Sequence, residues 1–178
     1  MRGLFHLTFA ATLTVLTACD EAGPRTQVTY VGTYGSLRAL GAEARAGRAV
    51  PVHAVNNPYG NDAALANTFA EHLSQRDQSL RFEGAGGGLP DAGAPRVLVL
   101  VDTPTDYTGI SACQGKPYEA QRREERIIVR MMVCDEAQRL VEVMGVLPRE
   151  TASLESAFDQ LLEQGAGELI VGEDRSPK

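Results

Sequence analysis

Two carboxylates, Asp102 and Asp106, follow directly on the apolar run RVLVLV, residues 96 to 101. Acids placed just beyond a central strand are where α/β proteins often hold ligands. A pair of them could bind a cation or divide the roles of acid and base. With His53 in the same cleft they would make an enzyme or a small-ligand site. No third acid or histidine lies at a recognised metal spacing, however, and Asp before Thr103-Pro104 is also good turn chemistry. His53 and His72 belong to no HxxxH or HExxH arrangement, so no metal site is expected. The glycine run 84 to 88 lacks the Lys-Ser/Thr and the helix that a phosphate loop needs, and Pro90 and Pro95 follow instead. We assign no catalytic residue and no cofactor. Tyr59, in the turn Asn56-Asn57-Pro58-Tyr59-Gly60, is the candidate contact for a protein partner, because an exposed tyrosine held between Pro and Gly suits a binding anchor.

The three cysteines ask for different chemistry. The chain opens with Arg2 and an apolar run from Leu4 to Ala18, too short to span a bilayer, which takes about 20 residues, and of the length of a signal-peptide core. That run ends at Leu16-Thr17-Ala18-Cys19. The motif resembles the lipobox of bacterial lipoproteins, where small residues before the cysteine let the peptidase approach an extended backbone. The resemblance covers the first 20 residues. It implies cleavage before Cys19, a lipid on its sulfur, and anchoring to the membrane through several acyl chains. Asp20 resembles the signal that retains such proteins at the inner membrane, so the periplasmic side of the inner membrane is favoured over the outer.

With Cys19 set aside, Cys113 and Cys134 are an even pair in an exported chain, and a disulfide between them is expected. The alternative, a nucleophilic Cys113, would need His53 or His72 as its base, and no thiol-enzyme signature surrounds it. The formal net charge of −6 becomes −7 when Arg2 leaves with the leader. Such a chain is poorly suited to nucleic acid, and it lacks a polybasic patch for anionic lipid.

The elements that must position these residues follow from periodicity. Residues 1–18 read as signal peptide, 19–27 as a lipid-attached tether, 28–172 as one domain, and 173–178 as a polar tail. A short strand is expected at Val28 to Val31, and a helix capped by Ser36 and ended by Gly47. A strand over Ala49 to Val55 follows. Asn61 or Asp62 caps a helix carrying Leu65, Phe69 and Leu73. Leu80 to Glu83 reads as a short strand, and Gly84 to Pro95 as a loose surface loop. Arg96 to Val101 is a central strand covered on both faces. Ile127 to Val133 and Leu140 to Leu147 form a hairpin turning at 135–138. Ser153 or Thr151 caps a last helix ended by Gly165, and Leu169 to Val171 adds an edge strand. Strands cluster in the second half, so the class is α+β, a mixed or mostly antiparallel sheet with helices packed on one face. Residues 49 to 165 also resemble the small α/β domain of envelope proteins such as the curli-secretion lipoprotein CsgG, the activator LpoB and the N-terminal domain of TolB. The features carrying that resemblance are VPVHAVNNPYGND, ALANTFAEHLSQ, VLVLVD and the hairpin IIVRMMVCDEAQRLVEVMGVL. It implies a docking or assembly module that binds another envelope protein.

Overall fold

The computed structural model describes residues 23–32, 40–41 and 46–171. The expected signal peptide, Cys19, most of the helix expected between Ser36 and Gly47, and the expected polar tail lie outside the described residues. Six strands form one sheet: β1 (Arg25–Val31), β2 (Val50–Val55), β3 (Phe82–Gly87), β4 (Gly93–Val101), β5 (Arg126–Glu136) and β6 (Gln138–Pro148). Their order is β1-β6-β5-β4-β2-β3, parallel at the two contacts of β2 and antiparallel elsewhere. Among the described residues, where 40–41 are also helical, three helices have both ends placed and complete an α+β domain: α1 (Asp62–Arg76), α2 (Gly109–Cys113) and α3 (Leu154–Val171).

The sheet is mixed because its connections differ in length. β5 and β6 are joined at Ala137 and must run antiparallel. The step from β2 to β3 passes through α1, a crossover long enough for parallel pairing. Alternation along β4 divides the core in two. Val97, Val99 and Val101 join Leu65, Phe69 and Leu73 of α1 and Phe158, Leu161 and Leu162 of α3. Leu98 and Leu100 point the other way, to Met132, Cys134, Ala112 and Cys113. The two long helices thus cover one face, and the segment containing α2 covers the other. No described helix is long and apolar enough to cross a membrane.

The Asn61 side chain caps α1 by accepting from the Ala64 N–H at 2.7 Å. His72 Nε2 meets Asp159 Oδ1 at 2.9 Å, and Arg76 Nη2 meets Glu163 Oε1 at 2.8 Å. Both pairs advance by one turn on each helix, so α1 and α3 run in the same direction.

Four expectations need correction. β1 begins at Arg25 rather than Val28, because residues 25–28 pair with Val143–Val146 of β6, so residues 25–27, expected in a tether, belong to the sheet. The stretch 84–95 is not a loose loop: residues 84, 86 and 87 pair with β2, and β4 starts at Gly93. Its glycines allow close approach, since a Cβ on Gly87 would lie 2.8 Å from Asp62 Cβ, and one on Gly84 would collide with Asn67 Oδ1. α3 does not stop at Gly165, where a Cβ would strike Met131 Sδ; the glycine lets the helix settle on the sheet. Leu169 to Val171 are accordingly helix, with Leu169 in the core, and not an edge strand.

Candidate functional site

β2 and β4 are parallel neighbours whose chains leave in opposite directions. From β2 the chain turns at Asn56 into α1 and on to β3, at the edge of the sheet. From β4 it turns at Asp102 towards β5, on the other side. Divergence at the carboxyl ends of adjacent parallel strands opens a crevice, the usual place for ligands in such sheets. Here the crevice is a hollow of about 330 Å³ lined by Asn56, Pro58, Tyr59, Asp102, Arg122 and Arg149, among others. Asn56 (φ 66°) and Asp102 (φ 51°) both take the left-handed backbone that the two exits require.

Asp102 is a buried junction. Its Oδ2 accepts from Arg149 Nη2 at 2.6 Å and its Oδ1 from the Ile128 N–H at 3.2 Å. Its own N–H donates to Ile128 O, and its carbonyl accepts from the Gln121 N–H, both at 2.7 Å. Arg149 Nε donates to Arg123 O at 2.6 Å, and Arg123 reaches Thr103 O at 3.1 Å. The carboxylate therefore ties the end of β4 to β5 and to the link between β6 and α3. Arg149 stands 47 positions away in sequence, and no local spacing could have revealed it.

Asp106 does not join it. That residue is exposed and lines a separate hollow with Tyr107, Ser111, Lys116 and Tyr118. His53 lines neither hollow. It sits half-buried on β2, where desolvation and then the nearby Arg96 guanidinium hold its pKa below the ordinary 6.5. Among the described residues, no group of three or more His, Cys, Asp or Glu side chains is arranged to hold a metal.

Tyr59 is held at the crevice mouth by its turn. The Asn57 N–H donates to Asp62 Oδ1 at 2.8 Å, Asn57 Nδ2 to Asn61 O at 2.8 Å, and the Tyr59 N–H to Asn57 Oδ1 at 3.1 Å. The ring meets Phe158 edge-on, with centroids 5.3 Å apart at 64°. It is 37% exposed and also borders a second hollow of about 460 Å³ between α1 and α3. Burial first pushes its hydroxyl pKa up; Arg149 pulls it down, Glu155 raises it and Arg122 lowers it, and the net shift is upward.

No family model and no curated protein matches the chain. Among solved structures, a PelC dodecamer from Paraburkholderia phytofirmans is similar, with 11% identity over 82% of this chain and 97% of that one, at a TM-score of 0.43.

On the opposite face, Cys113 is bonded to Cys134, with Cα atoms 5.5 Å apart. Arg96, 2% exposed, donates to the carbonyls of Cys113 and Glu136 and fastens the same segment. Tyr118 donates to Val101 O at 3.1 Å and packs its ring, tilted by 41°, against that of Tyr107, whose hydroxyl burial pushes up to about 12. Next to α2, Glu142 is buried between Arg130, at 2.9 Å, and Arg139. Arg139 in turn lies 3.9 Å from the Tyr30 ring centroid. A Cβ on Gly109 would lie 2.5 Å from Arg139 Cδ and 2.7 Å from Glu142 Oε2, so glycine lets α2 begin there without displacing the ion pair. Apolar alternation on β5 and β6 left Arg130 and Glu142 on the second face and was the available signal for them; Arg139, in step with Val141, reaches that face only through the register shift between Val133 and Cys134, which residue spacing does not reveal.

Proposed function

We propose that the protein is a lipid-anchored docking module on the periplasmic side of the cell envelope, which binds another envelope protein through the Tyr59 turn. The observation that carries the reading is the state of that turn: an aromatic side chain more than a third exposed, pre-organised by three hydrogen bonds, between two hollows. A rigid aromatic loses little conformational freedom on binding, which makes it an efficient anchor. Anchoring is supported by the apolar leader ending in Leu16-Thr17-Ala18-Cys19. An oxidising compartment is supported by the Cys113–Cys134 disulfide. The placement of the acids and the thiol favours docking over an enzyme, because Asp102 is bound by Arg149, Asp106 lies elsewhere, and Cys113 is joined to Cys134.

The anchoring part is tested by Cys19→Ser in the native cell. The variant is expected to leave the membrane fraction while unfolding at the same denaturant midpoint as the parent. A variant that stays wholly with the membrane contradicts the lipid anchor.

A further inference from the structure

We propose that the crevice at the carboxyl ends of β2 and β4 binds a carboxylate borne on a small apolar body, either a free organic acid or the C-terminal residue of a polypeptide.

Charge is the first argument. The crevice holds two guanidinium groups, Arg122 and Arg149, against one carboxylate, Asp102. Arg149 binds Asp102 through Nη2 and Arg123 O through Nε, leaving Nη1 without a hydrogen-bond partner among the described residues. Arg122 is exposed and forms no ion pair with a described residue. Among the residues lining this hollow one positive charge is thus unbalanced, on a chain whose net charge is −6; Glu155, which also acts on the Tyr59 hydroxyl, lines the neighbouring hollow instead. A monoanion matches the unbalanced charge.

The donor set selects the kind of anion. Phosphate sites are usually built from free backbone N–H groups in a nest or at a helix start. At the centre of the turn none is free: the Asn57 and Tyr59 N–H groups are already bonded within it, and Pro58 has no N–H. What remains are side-chain donors, the two guanidinium groups and the Asn56 amide Nδ2, which has no hydrogen-bond partner among the described residues; the planar guanidinium fork fits a carboxylate, whose single charge suits the site better than a phosphate dianion.

Size and walls define the body. Pro58, the Tyr59 ring and Leu154 give the hollow apolar sides. Its volume of about 330 Å³ is at the small end of ligand cavities, which run from roughly 300 to 1,000 Å³. One residue-sized apolar group fits. The inference gives the docking surface a chemistry and can fail separately from it, since a partner can contact Tyr59 while the crevice ignores acids.

The test is an NMR titration of the 15N-labelled full chain in a nonionic detergent, with N-acetyl-leucine and its uncharged amide, and with a short leucine-ending peptide as acid and as amide. Both acids are expected to move the backbone amides of Tyr59, Ala120 and Arg122, and the uncharged ligands are not. Arg122→Gln, at an exposed position that leaves the packing intact, is expected to weaken the acids about tenfold, as loss of a charge-assisted hydrogen bond does. A peptide acid binding at least about tenfold tighter than N-acetyl-leucine, the equivalent of about 1.4 kcal/mol, assigns the site to a polypeptide terminus. Similar affinities assign it to a free acid. Equal binding of acid and amide, shifts confined to other regions, unchanged affinity in Arg122→Gln, or no shift at millimolar ligand would each overturn the proposal.

Discussion

Glu142→Ala is expected to lower the free energy of unfolding by roughly 3–5 kcal/mol, the cost of removing one partner from a buried ion pair. Glu142 is 2% exposed, and its carboxylate holds Arg130 and Arg139 on the inner side of the segment that covers the second face. Without it, two guanidinium groups remain beneath that segment, and the Nε atom of each already lacks a hydrogen-bond partner. Most of the loss is the penalty of stranded charge. Replacing all three residues together, as Arg130→Met, Glu142→Leu and Arg139→Met, should therefore cost less than Glu142→Ala alone. Urea unfolding gives the comparison through the midpoint at unchanged slope. A loss below about 1 kcal/mol for the single variant would show that water reaches the cluster and screens it, as at surface pairs.

Removal of the disulfide in Cys113→Ala with Cys134→Ala is expected to cost about 3 kcal/mol in the chain-entropy model for a loop of this length. The sequence separation is 21, and both cysteines are fully buried. The loss should be uneven. Arg96, the Tyr118 hydroxyl and the Gln121 N–H still hold the segment 103–125 to the sheet, but without the covalent bond its amides should exchange faster. Amides in the β5–β6 hairpin away from Cys134 should change little. Hydrogen exchange by mass spectrometry separates the two regions, and faster exchange spread evenly over the chain would contradict this local role. Because the sulfurs are buried, a reductant should act slowly on the folded protein and quickly in urea.

Elements whose side chains repeat at a fixed period are legible from residue order alone. The alternation of Ile127, Val129, Met131 and Val133 marks β5, and the spacing of Leu65, Phe69 and Leu73 marks α1. The α+β class followed from the order of such elements. Glycine was the main source of error, since its composition signals flexibility while the fold uses it for contact. Gly84 and Gly87 accommodate α1 against β3, and Gly165 accommodates α3 against β5. Asp102 was visible as a residue at a strand end, but its role depends on Arg149, which reaches it only through the β6–α3 link. The crevice is non-local in the same way, because Tyr59, Arg122 and Arg149 come from three separate connections.

Docking on a protein through the Tyr59 turn, as proposed above, is tested most directly by site-specific photocrosslinking in intact membranes. A photoreactive residue at position 59 should yield one discrete heavier adduct on illumination, while the same residue at the exposed positions 71 and 81, on α1 and beside β3, should yield none. An adduct that appears at position 59 and disappears with Cys19→Ser would tie docking to the anchored state. No adduct at position 59, or the same set of adducts at all three positions, would contradict docking through the Tyr59 turn.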